Sequence, residues 1–514
     1  MEPLRRILGM SLARSPAPRV ESDDVYPVHL LDSSKTLRNI VVTWTLRFDD
    51  VLDADKLHVS LARLLEIGDW RKIGGRLRLK DNGELEIHSP RPFTAERPAI
   101  FYTHRAIEMD IKDHPLAKNL PKATENPSIH PGPDAFREFA AREDAPATLD
   151  GFIYHDTPML SLHVTSFNNA TLVGLSWPHT LMDVMGQQAL LRSWSLVLAG
   201  RESEVPPLLG ARDDTICAIA DASAEEEKSE EFILGKKQLK GYAMLVFGLR
   251  FVWDMLWNWT IDSRTICLPK RAVAELRRHA QDGLADPDQG SEGQKPFISE
   301  GDILTAWASR AVAASLPQPR PVTVLHVLNA RFRLPSLIQA SKAGVHVQNM
   351  AVAAFTFLSP EIATGALGPI ALENRRHLSE QSTEGQVLAF VRELRRESNS
   401  ESKSGSDSAI VCGESNALLM PFTNWTRADL LKTADFSGAV LRPGESEEGQ
   451  EQLRVNPPGT PLYHHSSAMR QDPTMRNVVV VLGKDHGDNY WLTGMLSPRA
   501  WVEIEREIGI LQQL

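Results

Sequence analysis

Cysteine is scarce in this chain. Cys217, Cys267 and Cys412 are the three in 514 residues, widely separated, with no CxxC pair and no Cys/His cluster. That excludes a disulfide framework and a structural zinc site and points to a reducing compartment, the cytoplasm. Positive charge is also in deficit. Lys and Arg number 56 against 66 Asp and Glu, a formal net charge of -10. A nucleic-acid binder shows the opposite balance, although a local basic patch for an anionic small molecule stays compatible. No Gly-rich phosphate loop of either common type is present, which argues against nucleotide-dependent chemistry. No Ser or Cys stands in a nucleophile elbow.

Long apolar runs are nearly absent. Residues 1–19 hold four arginines and one acidic residue without an apolar core, so they read as a short disordered or surface-lying tail rather than a secretory signal, with a transit-like segment as the alternative. The most apolar stretch, Tyr242 to Trp259, approaches the length of a membrane span, but Arg250 and Asp254 interrupt it. A buried or interfacial helix is the expectation. Contact with a membrane surface is the alternative, suggested by Lys236, Lys237 and Lys240 just before it.

What is present is a soluble composition, 42% hydrophobic and 24% charged, in a chain too long for one core, so two large domains are expected. Residues 39–48 read as a strand. Asp53 caps a helix with Leu57, Leu61, Leu64 and Leu65 on one face. Residues 76–88 form a hairpin around Asp81-Asn82-Gly83. Residues 159–167 and 171–177 form a second hairpin, followed by a helix over 186–198. Ser299 and Asp302 form a capping box for a helix reaching about residue 315. Residues 397–408 read as a low-complexity linker. Strands and helices alternate in both halves, which gives an α/β or α+β class.

The second hairpin delivers the chain to Ser176-Trp177-Pro178-His179-Thr180-Leu181-Met182-Asp183. HxxxD alone is weak: with sixteen histidines, about one chance match is expected. A second match, His130 and Asp134, lies in a proline-rich loop with no flanking strand. His179 stands between an apolar hairpin and an amphipathic helix, a rigid support that projects a side chain into a cleft. Imidazole suits the removal of a proton from an alcohol near neutral pH. His464, His465 and His486 read as loop histidines, and no metal site is expected.

These motifs together resemble the BAHD-type, HxxxD acyltransferases, especially their fungal branch. The resemblance rests on Gly74 to Leu77, Ser176 to Asp183, Ser299 to Trp307, Leu328 to Leu334, Thr423-Asn424-Trp425 and Asp435-Phe436-Ser437-Gly438. It implies two chloramphenicol-acetyltransferase-like lobes, each a mixed sheet with helices. Residues 1–215 would form the first lobe, 216–265 a long crossover with its apolar helix, and 266–514 the second lobe. It implies an acyl-CoA-dependent transferase, with acetyl-CoA as the expected donor and a hydroxyl of a hydrophobic fungal secondary metabolite as acceptor. His179 would be the general base and no acyl-enzyme would form. The spacing alone allows a His179–Asp183 relay. The resemblance instead makes Asp183 a structural brace toward Arg331, with Arg333 as second choice. It sets Thr423 and Trp425 at the oxyanion or substrate. Asp435, Phe436 and Gly438 form a structural motif that departs from the plant Asp-Phe-Gly-Trp-Gly. Val345 to Asn349 matches a Tyr-X-Gly-Asn segment loosely, with Gln348 in the glycine position. The implied state is a cytoplasmic monomer. The alternative is a condensation or cyclisation catalyst, or an N-acyltransferase, using the same tunnel. The condensation enzymes' HHxxxDG is not met, since Pro178 precedes His179 and Val184 follows Asp183.

Overall fold

The computed structural model describes residues 16–225, 230–284, 296–404, 410–444 and 454–513. Residues 1–15 of the expected tail lie outside them.

Two mixed sheets carry the fold. The first has five strands in the order Tyr463–Ala468, Val41–Phe48, Thr171–Pro178, Ser161–Ser166 and Phe101–Ala106. Every residue of Val41–Phe48 and Thr171–Pro178 is buried, because both sheet faces are covered. The helix Ala54–Leu64 covers one side. Asp53 caps it by accepting from Lys56 N at 2.9 Å, and Leu57, Leu61 and Leu64 face the core. The helix Val184–Leu198 packs beside it, and Trp194 Nε1 donates to Ser60 Oγ at 2.8 Å.

The second sheet has seven strands: Ala351–Leu358, Val322–Asn329, Leu418–Asn424, Val478–Lys484, Tyr490–Leu496, Asp262–Leu268 and Ser128–Pro131. The Leu418–Asn424 strand runs parallel to both of its neighbours, and the remaining pairs are antiparallel. Beneath this sheet lies the helix Glu300–Ala314, with Trp307 fully buried. Ser299 and Asp302 close its capping box.

Each sheet takes one edge strand from the far half of the chain. Ser128–Pro131 pairs with Asp262–Leu268, and Tyr463–Ala468 pairs with Val41–Phe48. Several expectations change as a result. His130 lies on a strand, because nonlocal pairing captures a proline-flanked segment that has no local strand signal. His464 and His465 are buried in a strand rather than set in a loop. Residues 397–404 of the expected linker continue the helix Glu384–Ser404, and residues 405–408 lie outside the described residues.

The exchanged strand carries a titration signature. His464 Nδ1 accepts a hydrogen bond from Trp44 Nε1 at 3.1 Å, which requires a neutral ring. Burial pushes His464 down to about 4 and His465 to about 3. Unfolded histidine binds its proton near the ordinary value of 6.5. The unfolded chain therefore takes up protons first as pH falls. Stability that is complete above 6.5 should decline from there toward about 4, read as a falling Tm in calorimetry at stepped pH. A Tm that stays level through that window would contradict the assignment.

Candidate active site

The strand Thr171–Pro178 ends at His179, whose backbone N donates to Ile40 O at 2.8 Å. Asn349 Nδ2 donates to the His179 carbonyl at 2.8 Å. Both ends of the peptide unit at His179 are therefore pinned, one by the neighbouring strand's start and one by a residue far along the chain. The ring is partly exposed and lines a large cavity. Its Nδ1 is enclosed and has no hydrogen-bond partner among the described residues, so Nε2 is the nitrogen left for the cavity. Burial lowers its pKa below the usual histidine range. Its own carbonyl, the Asp183 and Asp32 charges and Asn349 pull the other way.

Asp183 is fully occupied elsewhere. Its Oδ1 caps the helix Val184–Leu198, accepting from Met185 N at 3.1 Å and Gly186 N at 3.0 Å. Its Oδ2 accepts from Arg331 Nη1 at 2.8 Å and from Met350 N at 3.0 Å. The ion pair is nearly enclosed, with side-chain exposures of 10% and 9%. Arg331 continues into the loop opposite, donating through Nη2 to His346 O at 3.1 Å and Gln348 O at 2.5 Å. Arg333 makes no such contact with Asp183 among the described residues. The strand stops at Asn329, and a tight turn over Ala330–Phe332 sends the two arginines apart, against the shared face that a continued strand would give. Asn329 caps that turn by accepting from Arg331 N at 3.0 Å.

Close approach makes this junction possible. A Cβ on Gly186 would stand 2.3 Å from the Val347 carbonyl. The helix after Asp183 can therefore touch the 346–348 loop only with glycine there.

Sequence reasoning did not single out Asp32 or the partners of Asn349. Asp32 Oδ1 accepts from both Asn349 N and Asn349 Nδ2 at 2.7 Å. Burial holds the Asp32 carboxyl above the usual range, against the pull of Lys72, His29 and Asn349. Burial likewise lowers the Lys72 ammonium, opposed by Asp32 and two further aspartates. The loose segment match ending at Asn349 was the available signal, but Asp32 lies 317 positions away in the chain.

Thr423 and Trp425 line the same cavity as His179, at the end of the strand Leu418–Asn424. Trp425 N donates to Val481 O at 2.8 Å, and its side chain packs against the first sheet's core and a small cluster of Cys267, Tyr463, Leu482 and Trp491 where the two sheets meet. Asp435, Phe436 and Gly438 do not line the cavity. Phe436 is fully buried, stacked on Phe48 at 5.3 Å and packed on Trp194 at 4.5 Å. Asp435 N donates to Ser195 Oγ at 3.0 Å, and Gly438 lies against Leu198 O. This turn fastens a late segment of the chain onto the helix that Asp183 starts.

The cavity measures about 2540 Å³, beyond the roughly 300–1,000 Å³ of a single small-molecule site. Arg333, Arg375 and Arg427 are among its lining residues. Burial and the like charges of Arg427 and Arg375 lower the Arg333 pKa. An anionic ligand would relieve that strain.

No protein-family model matches the chain. The chain is 38% identical over 497 residues to O-acetyltransferase PaAT-2 of Phomopsis amygdali, covering 95% of this chain and 98% of the relative. It is 36% identical over 500 residues to acetyltransferase pyiB of Pyricularia grisea, covering 97% and 96%. Among solved structures, F. graminearum TRI101 complexed with coenzyme A and T-2 mycotoxin shares the fold. Its TM-score is 0.62 at 15% identity, covering 94% of this chain and 97% of that one.

Replacing Asp183 with Asn should keep the helix cap and remove the charge opposite Arg331. Breaking an enclosed pair from one side costs about 3–5 kcal/mol. Calorimetry should show a lowered Tm together with reduced turnover. Lost turnover at an unchanged Tm would contradict the brace.

Proposed function

The chain belongs to the family of fungal acetyltransferases and O-acyltransferases and is an acyltransferase, and from that premise we propose that it transfers an acyl group, acetyl being the expected one, from coenzyme A to a hydroxyl of a hydrophobic small molecule. His179 is the general base of this HxxxD centre, in the manner of the BAHD-type enzymes. The observation that carries the reading is His179 itself. Its ring borders a cavity with room for two ligands, while both of its backbone ends are held.

His179 Nε2 takes the proton of the acceptor hydroxyl as its oxygen bonds to the thioester carbonyl carbon. Burial keeps the ring neutral, and therefore competent, at neutral pH. The charge that develops on the carbonyl oxygen requires donors, and the Thr423 hydroxyl and Trp425 indole N–H are of the right kind on the cavity wall. The C–S bond then breaks, and the imidazolium returns its proton so that CoA leaves as the thiol. No protein nucleophile is needed. Asp183 takes no proton and holds the strand end against Arg331. Arg333, Arg375 and Arg427 supply the basic patch suited to the phosphates of CoA. A single chain carries every residue invoked, in keeping with a monomer.

Replacing His179 with Ala should lower acetyl-CoA-dependent release of free CoA by about 10²–10⁴-fold, with a near-native Tm. Near-wild-type turnover refutes the mechanism. The acid limb of the wild-type pH–rate profile should fall at a midpoint below 6.5, and a midpoint above that value counts against His179 as the base. Replacing Arg427 with Glu should raise KM for acetyl-CoA more than it lowers kcat. A KM that stays the same would remove the arginine patch from CoA binding.

A further inference from the structure

The helix Gly241–Trp257 is inverted relative to an ordinary surface helix. None of its residues is buried. Tyr242, Leu245, Leu249, Trp253, Leu256 and Trp257 recur at helical spacing on one face and are 58% to 80% exposed. Trp259 extends the same patch just past the helix end at 75% exposure. A continuous exposed surface of this kind marks an interaction site. The inward face holds the helix in place. Asp254 is clasped by Arg320 at 2.6 and 3.1 Å, and Arg476 donates to Asn258 O at 2.8 Å. Phe251, on that same inward face, forms part of the wall of the His179 cavity.

We propose that the outward face of Gly241–Trp257 lies flat on a lipid bilayer carrying anionic headgroups. No helix among the described residues is long and apolar enough to cross a membrane, and a 17-residue helix is about 25 Å long. A surface-lying orientation is therefore the one in which this face is covered by lipid. The aromatic content fits that depth. Trp253 and Trp257 stack at 6.1 Å, with Tyr242 at the other end of the helix, and amphipathic rings settle at the headgroup level.

The charges choose between a bilayer and a second copy of the chain. Arg250 is the charged residue toward the exposed side, and Asp254 is turned inward and neutralised by Arg320. Lys236, Lys237 and Lys240 are exposed at the helix start. Lys240 also reaches Glu393 at 3.5 Å and Lys237 lies over the Phe357 ring. This cationic rim belongs to a chain with a net charge of -10. A two-fold dimer of antiparallel helices through this face would set Arg250 near its own copy and turn the three lysines toward the apolar Trp257–Trp259 end of the partner, with no anionic group on the face to meet them. An anionic surface attracts each of them. The bilayer then meets the outer side of a cavity wall, in the phase where an apolar acceptor dissolves, a consequence that rests on the acyltransfer reading.

The test is flotation of the purified full chain with phosphatidylcholine vesicles, with and without phosphatidylserine. The chain should float with the phosphatidylserine vesicles and more weakly with phosphatidylcholine alone. The double substitution Trp253→Glu and Trp257→Glu should weaken flotation at least about tenfold, equivalent to about 1.4 kcal/mol. It should leave the Tm and the rate of CoA release with a water-soluble acceptor unchanged. Absence of flotation with either vesicle overturns the proposal, as does flotation that survives the substitutions. So does a solution dimer that the same substitutions convert to monomer, which would assign the face to a second copy. Because flotation does not require turnover, its failure is separable from failure of the acyltransfer reading.

Discussion

The Asp183 carboxylate is the constraint on which the rest of the site depends. Its two oxygens accept four hydrogen bonds: two from the start of the helix Val184–Leu198, one from Arg331 and one from Met350 N. A carboxylate has about four acceptor directions. None is left over for the His179 ring. The same atoms that start the helix after His179 also join it to the loop across the cavity. The side chain is nearly enclosed, so the arrangement holds only with every partner present. Gly186 permits the close approach that this needs, and Asn349, gripped by Asp32, holds the His179 carbonyl from the far side.

The surrounding architecture has the same logic at larger scale. Each sheet completes itself with an edge strand from the other half of the chain. The turn around Phe436 packs on Trp194, on the helix that Asp183 caps, and Trp425 bridges the first sheet's core and the small cluster of Tyr463, Cys267, Leu482 and Trp491 that joins the two sheets. Hydrophobic contacts of this kind resist sliding, because close-packed interiors do not deform continuously. The cavity is thus a space between two interlocked bodies. His179 stands on a strand end of one, and Thr423 and Trp425 at a strand end of the other.

Local chemistry in the sequence carried far. The apolar hairpin before His179, the Asp53 cap, and the reciprocal pair of Ser299 and Asp302 are all short-range devices, and each is readable within a few residues. The resemblance supplied Arg331 as the partner to consider, which spacing could not have done. Nonlocal pairing hid the rest. Nothing near His130 signals a strand, since its hydrogen-bond partner is Asp262–Leu268. Asp32 and Asn349 meet across 317 positions. The choice between Arg331 and Arg333 turned on where a strand ends, the least legible feature of any element. The apolar run at 242–259 was visible at once, but composition does not tell a core helix from one that faces outward.

The central claim is that His179, held in place but not assisted by Asp183, is the group that receives the acceptor's proton. A crystal structure of the chain with CoA and an unreactive acceptor analogue tests this most directly. The account requires the acceptor hydroxyl within hydrogen-bond reach of His179 Nε2, with the Asp183–Arg331 pair intact. An acceptor hydroxyl bound to another side chain, or Asp183 rotated onto the His179 ring, would contradict it.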